Sequence, residues 1–144
     1  MRQREGATHV VVDTDVASWL LNPRPLPQAE QARRVTAGRT RVVSFMTVTE
    51  LHFGVLSAGW GELRRRRLER SVADLDVIQT GEKLIHQCAQ LRAWARRNGH
   101  AIGGKIHEAD RWVAATALLL GLELVAGDGI FNGIEGLDVS RIRP

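Results

Sequence analysis

The sequence predicts an open α/β fold, a five-stranded parallel sheet flanked by α-helices on both faces. Three observations predict it. Short apolar runs (HVVVD, TRVVSF, LDVIQ, LELVA and LDVSRI) recur along the chain, and such runs read as strands buried on both sides. Segments with helical apolar spacing separate most of them, and this alternation calls for crossovers that cover the sheet on both faces. Four acidic residues, Asp13, Glu50, Asp110 and Asp128, stand where a strand ends or a helix begins. In an open α/β fold those points meet along the carboxyl edge of the sheet.

The elements follow in order. HVVVD is a buried strand ending at Asp13, and Thr14 to Leu21, apolar and free of breakers, is a helix. NPRPLP, with Pro23, Pro25 and Pro27, is expected to be loop, and Gln28 to Ala37 a helix. TRVVSF is the second strand. Thr47 to Ala58 places Val48, Leu51, Val55 and Ala58 on one helical face, with Glu50 and Gly54 opposite. Gly59 and Gly61 punctuate. Glu62 to Leu75 is a basic helix containing RRRR, with Leu68, Val72 and Leu75 inward, and LDVIQ is the third strand. Gly81 to Asn98 carries the stripe Leu84, Cys88, Leu91, Ala95, with Gly99 as a stop signal. Lys105 to Leu120 aligns Ile106, Ala109, Val113, Ala117 and Leu120, and Gly121 ends it. LELVA, just before Asp128, and LDVSRI complete the sheet.

At 144 residues the chain fits one domain, 1–144, with room for a real core. Its 44% hydrophobic and 25% charged content is that of a globular protein. The single cysteine, Cys88, excludes a disulfide framework and a Cys-rich zinc site. MRQREGATHV has charge but no apolar stretch, unlike a secretory leader. No run reaches the roughly 18 apolar residues of a membrane span, so a cytoplasmic protein is expected. The net charge of +4 suits a polyanionic partner.

Each acid has an ordinary structural use. Asp13 can cap the helix it precedes. Glu50, three residues after Thr47, fits a capping box. Asp110 can favour a helix dipole, and Asp128 lies in a GDG turn. Their joint arrival at one edge asks for more. Crowded carboxylates repel, so some hold a proton or a cation is present, and oxygen donors suit Mg²⁺, with Mn²⁺ as a substitute. Asp15 and Glu108 are further acids beside the group. The chain therefore reads as a metal-dependent enzyme acting on phosphate esters.

The segments VVDTDVASWLL, TVTELHFGV, ADRWVAATALLLGLELVAGDGIF and IEGLDV, in this order and over nearly the whole chain, resemble the PIN-domain ribonucleases, and most closely the VapC toxins of toxin–antitoxin pairs. The resemblance implies a Mg²⁺-dependent endoribonuclease with Asp13, Glu50, Asp110 and Asp128 as its acidic quartet. It makes Asp13 and Asp110 the principal metal ligands, with Glu50 and Asp128 acting through water. It also implies structured cellular RNA (tRNA, rRNA or mRNA) as substrate, a cognate VapB-like antitoxin and a homodimer. Two positions depart from the family pattern: Asp15 replaces a small uncharged polar residue, and Ala126 replaces Thr or Ser.

For RNA contact the candidates are Arg64, Arg65, Arg66 and Arg67 with Arg70, and a second group, Arg92, Arg96 and Arg97; a solvated helix face is the alternative for either. Trp112, two residues past Asp110, is the best-placed of four tryptophans to stack on a base, against a plain packing role. The histidines show no metal spacing. Trp19, Phe53 and Leu56 are candidates for an apolar groove for an antitoxin helix. A rival enzyme reading takes VVVDTDVA and GDGIFN as haloacid-dehalogenase-type phosphatase motifs, with Asp13 as nucleophile, Asp15 as acid, Asp128 on Mg²⁺, and Ser44 with Lys83 or Lys105 assisting. It leaves Glu50 and ADRWVAATA unexplained. A third reading is a PIN-like module that binds RNA or a partner without cutting.

Overall fold

A computed structural model describes residues 8–22, 24–59 and 61–143; the N-terminal residues 1–7, Pro23, Trp60 and Pro144 lie outside these. Five strands form one sheet: β1 (His9–Val12), β2 (Thr40–Ser44), β3 (Asp76–Ile78), β4 (Leu124–Ala126) and β5 (Val139–Arg141). Their order is β3-β2-β1-β4-β5 and every pairing is parallel, with Val11 opposite both Val42 and Leu124. Among the described residues six α-helices connect them: α1 (Thr14–Leu21), α2 (Pro27–Val35), α3 (Phe45–Ser57), α4 (Glu62–Ala73), α5 (Glu82–Asn98) and α6 (Glu108–Leu120). Among the described residues no helix is long and apolar enough to cross a membrane.

Alternation along the strands builds two cores. Val11, Val42, Leu124 and Ala126 face one side, where Leu91 and Ala95 of α5 and Val113, Ala114 and Ala117 of α6 pack with Phe131. Val10, Val12, Val43 and Val125 face the other, against Val16 and Ala17 of α1 and Ala32 of α2. Successive residues of a strand point to opposite faces, so an unbroken Val-Val-Val run is what a doubly covered strand requires. All three valines of β1 are fully buried, each worth roughly 1.5–3 kcal/mol. The expected stripe of α5 is buried as read: Leu84, Cys88, Leu91 and Ala95. Gly99 and Gly121 close α5 and α6 at φ +68° and +64°, the left-handed cap that glycine adopts without strain.

Four expectations change. Pro27 is the first residue of α2 rather than loop, because a helix's first N–H needs no partner. The helix containing Glu50 starts at Phe45, capped by Ser44, whose Oγ accepts from Met46 N at 3.1 Å. Thr47 lies inside that helix and its hydroxyl meets Thr14 at 3.1 Å, so Thr47 and Glu50 form no capping box. Residues 105–107 form a separate 3₁₀ turn before α6. Ile106 therefore leaves the apolar stripe and stands 89% exposed, and Leu120 at its far end is 40% exposed.

Candidate active site

The chain leaves β1 for β2 and β3 on one side, then returns to β4 on the other. The gap beyond the carboxyl ends of β1 and β4 is therefore the topological switch point, where ligands of open α/β sheets bind. Asp13 directly follows β1. Gly127 and Asp128 directly follow β4. The helix α6 leads down into β4, so its first turn, with Asp110, lies at the same edge. The helix α3 begins there after β2, and the Thr14–Thr47 hydrogen bond ties its first turn to that of α1. Glu50 lies three residues beyond Thr47, on the same helical face.

Asp13 is the fixed point. It is only 3% exposed, yet both its oxygens are held by backbone. Oδ1 accepts from Val16 N at 2.9 Å, capping α1, and Oδ2 accepts from Gly127 N at 3.0 Å, joining the ends of β1 and β4. Burial pushes its pKa up to about 7, against the backbone donors, which favour the ion, and with help from the nearby charge of Asp15. Gly127 is obligatory in this arrangement: a Cβ there would stand 2.7 Å from the Trp19 ring and 3.0 Å from Asp15 Cβ. A side chain would force the donor N–H away from Asp13.

Three more aspartates are linked to this group through Asp15, whose charge acts on both Asp13 and Asp110. Burial raises the pKa of Asp110, His107 opposes the rise, and the charges of Asp128 and Asp15 add to it. Asp15 is raised by burial and by Asp128. Asp128 is exposed and caps a 3₁₀ turn, Gly129–Phe131, by accepting from Ile130 N at 2.9 Å. Glu50 is half-buried and, among the described residues, takes part in no hydrogen bond or ion pair. The structure thus brings Asp13, Asp15, Asp110 and Asp128 into one electrostatic group and leaves Glu50 beside it on α3.

The other candidates are placed as follows. Arg64, Arg65, Arg66 and Arg67 are exposed on α4, where Arg66 bonds Glu62 at 2.8 Å. Trp112 packs edge-on against Phe45, ring centroids 5.2 Å apart, beside Leu84, Cys88 and Ala115. Trp19 lies over Gly127. Ser44, the assisting residue of the phosphatase reading, is fully buried as a helix cap.

Two residues that the sequence does not recommend take positions at the site. His107 Nδ1 lies 3.3 Å from Asp110 Oδ2; the three-residue spacing in HEAD was the available signal, because such pairs meet at a helix start. Arg111, next to Asp110, is buried and its Nη1 donates to the carbonyls of Ile102 and Gly104. It clamps the loop that carries His107. An arginine inside an otherwise apolar helix was the trace of it in the sequence.

Among the described residues no three His, Cys, Asp or Glu side chains form a ready-made metal cage. The donor set nevertheless fits a hard divalent ion. Mg²⁺ is commonly held by one or two carboxylates and keeps several waters, and a group of carboxylates with raised pKa values lacks the positive charge that would settle it.

Residues 10–137 match the family model described as the PIN domain. Over 128 residues the chain is 30% identical to Ribonuclease VapC5 of Mycobacterium tuberculosis, covering 88% of this chain and 87% of that one. Among solved structures it is similar to FitAcB from Neisseria gonorrhoeae, with a TM-score of 0.74 and 28% identity over 90% of this chain and 95% of that chain. VapBC2 from Rickettsia felis, bound to a DNA fragment of its promoter, has a TM-score of 0.76 at 20% identity, over 93% and 98% of the two chains; this second likeness bears on the fold alone.

Proposed function

Because this chain belongs to the PIN-domain family, among the VapC ribonucleases, we propose that it is a Mg²⁺-dependent endoribonuclease, the toxin of a VapBC-type pair. On this reading residues 1–144 are a single PIN domain that acts in the cytoplasm on structured tRNA, rRNA or mRNA. The observation that carries the proposal is Asp13. A carboxylate 3% exposed, with a pKa of about 7 and the charge of Asp15 acting on it, sits at the switch point of the sheet.

Asp13 and Asp110 hold the cation. When bound, Mg²⁺ supplies a Lewis acid for a phosphate oxygen and lowers the pKa of a water. Val16 N–H and Gly127 N–H fix the Asp13 carboxylate, and His107 steadies that of Asp110. Glu50 or Asp128, the two less engaged acids, accepts the proton of the attacking water. In-line attack on the phosphodiester leaves a 5′-phosphate and a 3′-hydroxyl.

The antitoxin occupies the surface of α3 and α4, where Phe53, Leu56 and Leu63 are 69%, 65% and 61% exposed. A cleft there is lined by His52, Val55, Leu56, Arg65, Leu68 and Glu69. Apolar anchors rimmed by charge suit an amphipathic helix. Two copies of the chain pair as a homodimer.

The test is to incubate the purified, antitoxin-free protein with total bacterial RNA and Mg²⁺ or Mn²⁺, with Asp110→Asn and EDTA in parallel. Discrete fragments that need metal and vanish in the variant are expected. Intact RNA with folded, metal-loaded protein would overturn the proposal.

A further inference from the structure

Arg141 ends β5, in register with Ala126 at the end of β4. It therefore stands at the carboxyl edge, one strand over from the turn that carries Asp128. Its guanidinium lies against Gly129, the residue after Asp128: a Cβ at Gly129 would be 3.1 Å from Nη1 and 3.2 Å from Cζ. Glycine at this position is what lets the group approach the backbone. The backbone beneath is firmly set, because Ile142 N donates to Ala126 O at 2.8 Å and Ile142 is buried.

What distinguishes this arginine from the other exposed ones is its place at the carboxyl edge, with its donors unused. Arg39 pairs with Glu123 at 3.1 Å and Arg66 with Glu62 at 2.8 Å, and Arg111 is taken up by two carbonyls. Arg141 is exposed and, among the described residues, has no ion pair and no hydrogen bond. It stands on the rim of a crevice lined by four aspartates without being drawn into a pair with any of them. Its donors are left free toward solvent at the one edge where a polyanion must approach a negative site.

We propose that Arg141 is a phosphate-binding residue that holds a backbone phosphate of single-stranded RNA next to the one being cut. This rests on the ribonuclease reading above. A guanidinium presents a planar fork of donors that matches phosphate oxygens, and such a contact positions the chain without reading its sequence. It also offsets, at the rim, the repulsion between the incoming strand and Asp128.

The test compares wild type with Arg141→Ala, Arg141→Lys and Arg34→Ala. Arg34, exposed in the last turn of α2, removes the same charge from the opposite edge of the sheet. Binding of a labelled single-stranded oligoribonucleotide is measured by anisotropy in EDTA across a salt series, and cleavage is measured separately with Mn²⁺. Arg141→Ala is expected to weaken binding by about fivefold to tenfold at low salt and to reduce the slope of log K against log salt by about 0.7, the value for one phosphate of a single strand. Its KM should rise by the same factor with kcat little changed. Arg141→Lys should keep most of the slope, and Arg34→Ala should match wild type. If wild type cleaves while Arg141→Ala keeps its affinity, slope and KM, the assignment of Arg141 is overturned and the ribonuclease reading stands. Tighter Mn²⁺ binding by Arg141→Ala with unchanged RNA affinity would likewise overturn it, leaving Arg141 as a screen for Asp128. The expected loss of binding beside a wild type that never cleaves would support Arg141 and overturn the ribonuclease reading instead.

Discussion

Asp13 is 3% exposed and has both oxygens bonded to backbone, whereas α4 buries none of its residues and leaves Leu63 61% exposed. Around Asp13, strand ends, a helix cap and a glycine without room for a methyl group fix one arrangement, although it holds a carboxylate away from water. On α4 the packing is chiefly against α3, and its visible ion pair, Arg66–Glu62, is an exposed one of the kind worth about 0–1 kcal/mol. A catalytic group gains from being held before the substrate arrives. A binding surface gains from apolar area that a partner can cover. Geometry is concentrated in the first region, and uncovered surface in the second.

The sharpest way to break this contrast is to remove one acid. Asp110→Asn should reduce cleavage by about a thousandfold or more, the scale of losing a charge-stabilising metal ligand, with an unchanged circular dichroism spectrum. Retained activity would place the chemistry elsewhere.

Next in size is the pH dependence of the metal-free protein. Asp13 has a folded pKa of about 7 against an ordinary 3.8, so between those values the folded state binds a proton that the unfolded state does not. Stability therefore falls as pH rises through this window, and lowering the pH from above 7 toward 4 should recover on the order of a few kcal/mol. Asp15 and Asp110, also raised, act in the same direction. Mg²⁺ should raise the melting temperature more at pH 8 than at pH 5. Thermal melts at both values, with and without the ion, check the sign.

Gly127→Ala should destabilise by about 1–3 kcal/mol, as overpacking does, and should weaken Mn²⁺ binding, because the new methyl group meets Trp19. Urea unfolding and a Mn²⁺ titration measure the two effects. At the small end, Leu56→Ser should change stability by less than about 0.5 kcal/mol and leave RNA cleavage intact, while weakening capture by the antitoxin. A large loss of stability there would show that α3 and α4 share the fixed character of the crevice.

The strands and the α5 stripe were legible in the sequence because each follows from a local period. Asp13, Asp110 and Asp128 were legible because a strand end or helix start marks them, and the resemblance carried by TVTELHFGV together with the other segments joined them to Glu50. Local pattern failed where geometry switched type within a few residues. The 3₁₀ turn at 105–107 looks apolar and helical on paper, and it turns Ile106 out to solvent. Ser44 rather than Thr47 starts α3 because β2 runs directly into the helix with no loop between. Arg141 was illegible for a different reason. Its significance lies in what it faces, and that depends on β5 pairing with β4, a relation that no short window of sequence contains.

The bond from Gly127 N to Asp13 Oδ2 joins residues 114 apart in the chain, and the central strand β1 finds its partner β4 over a similar distance. Contacts of such separation form only after the intervening chain is available. During synthesis, Asp13 waits for the 114 residues up to Gly127 before it gains its second donor and the company of Asp128. An amino-terminal fragment that stops short of Gly127 has the first carboxylate but not the site. The fold thereby withholds the assembled crevice until the ribosome has passed Asp128.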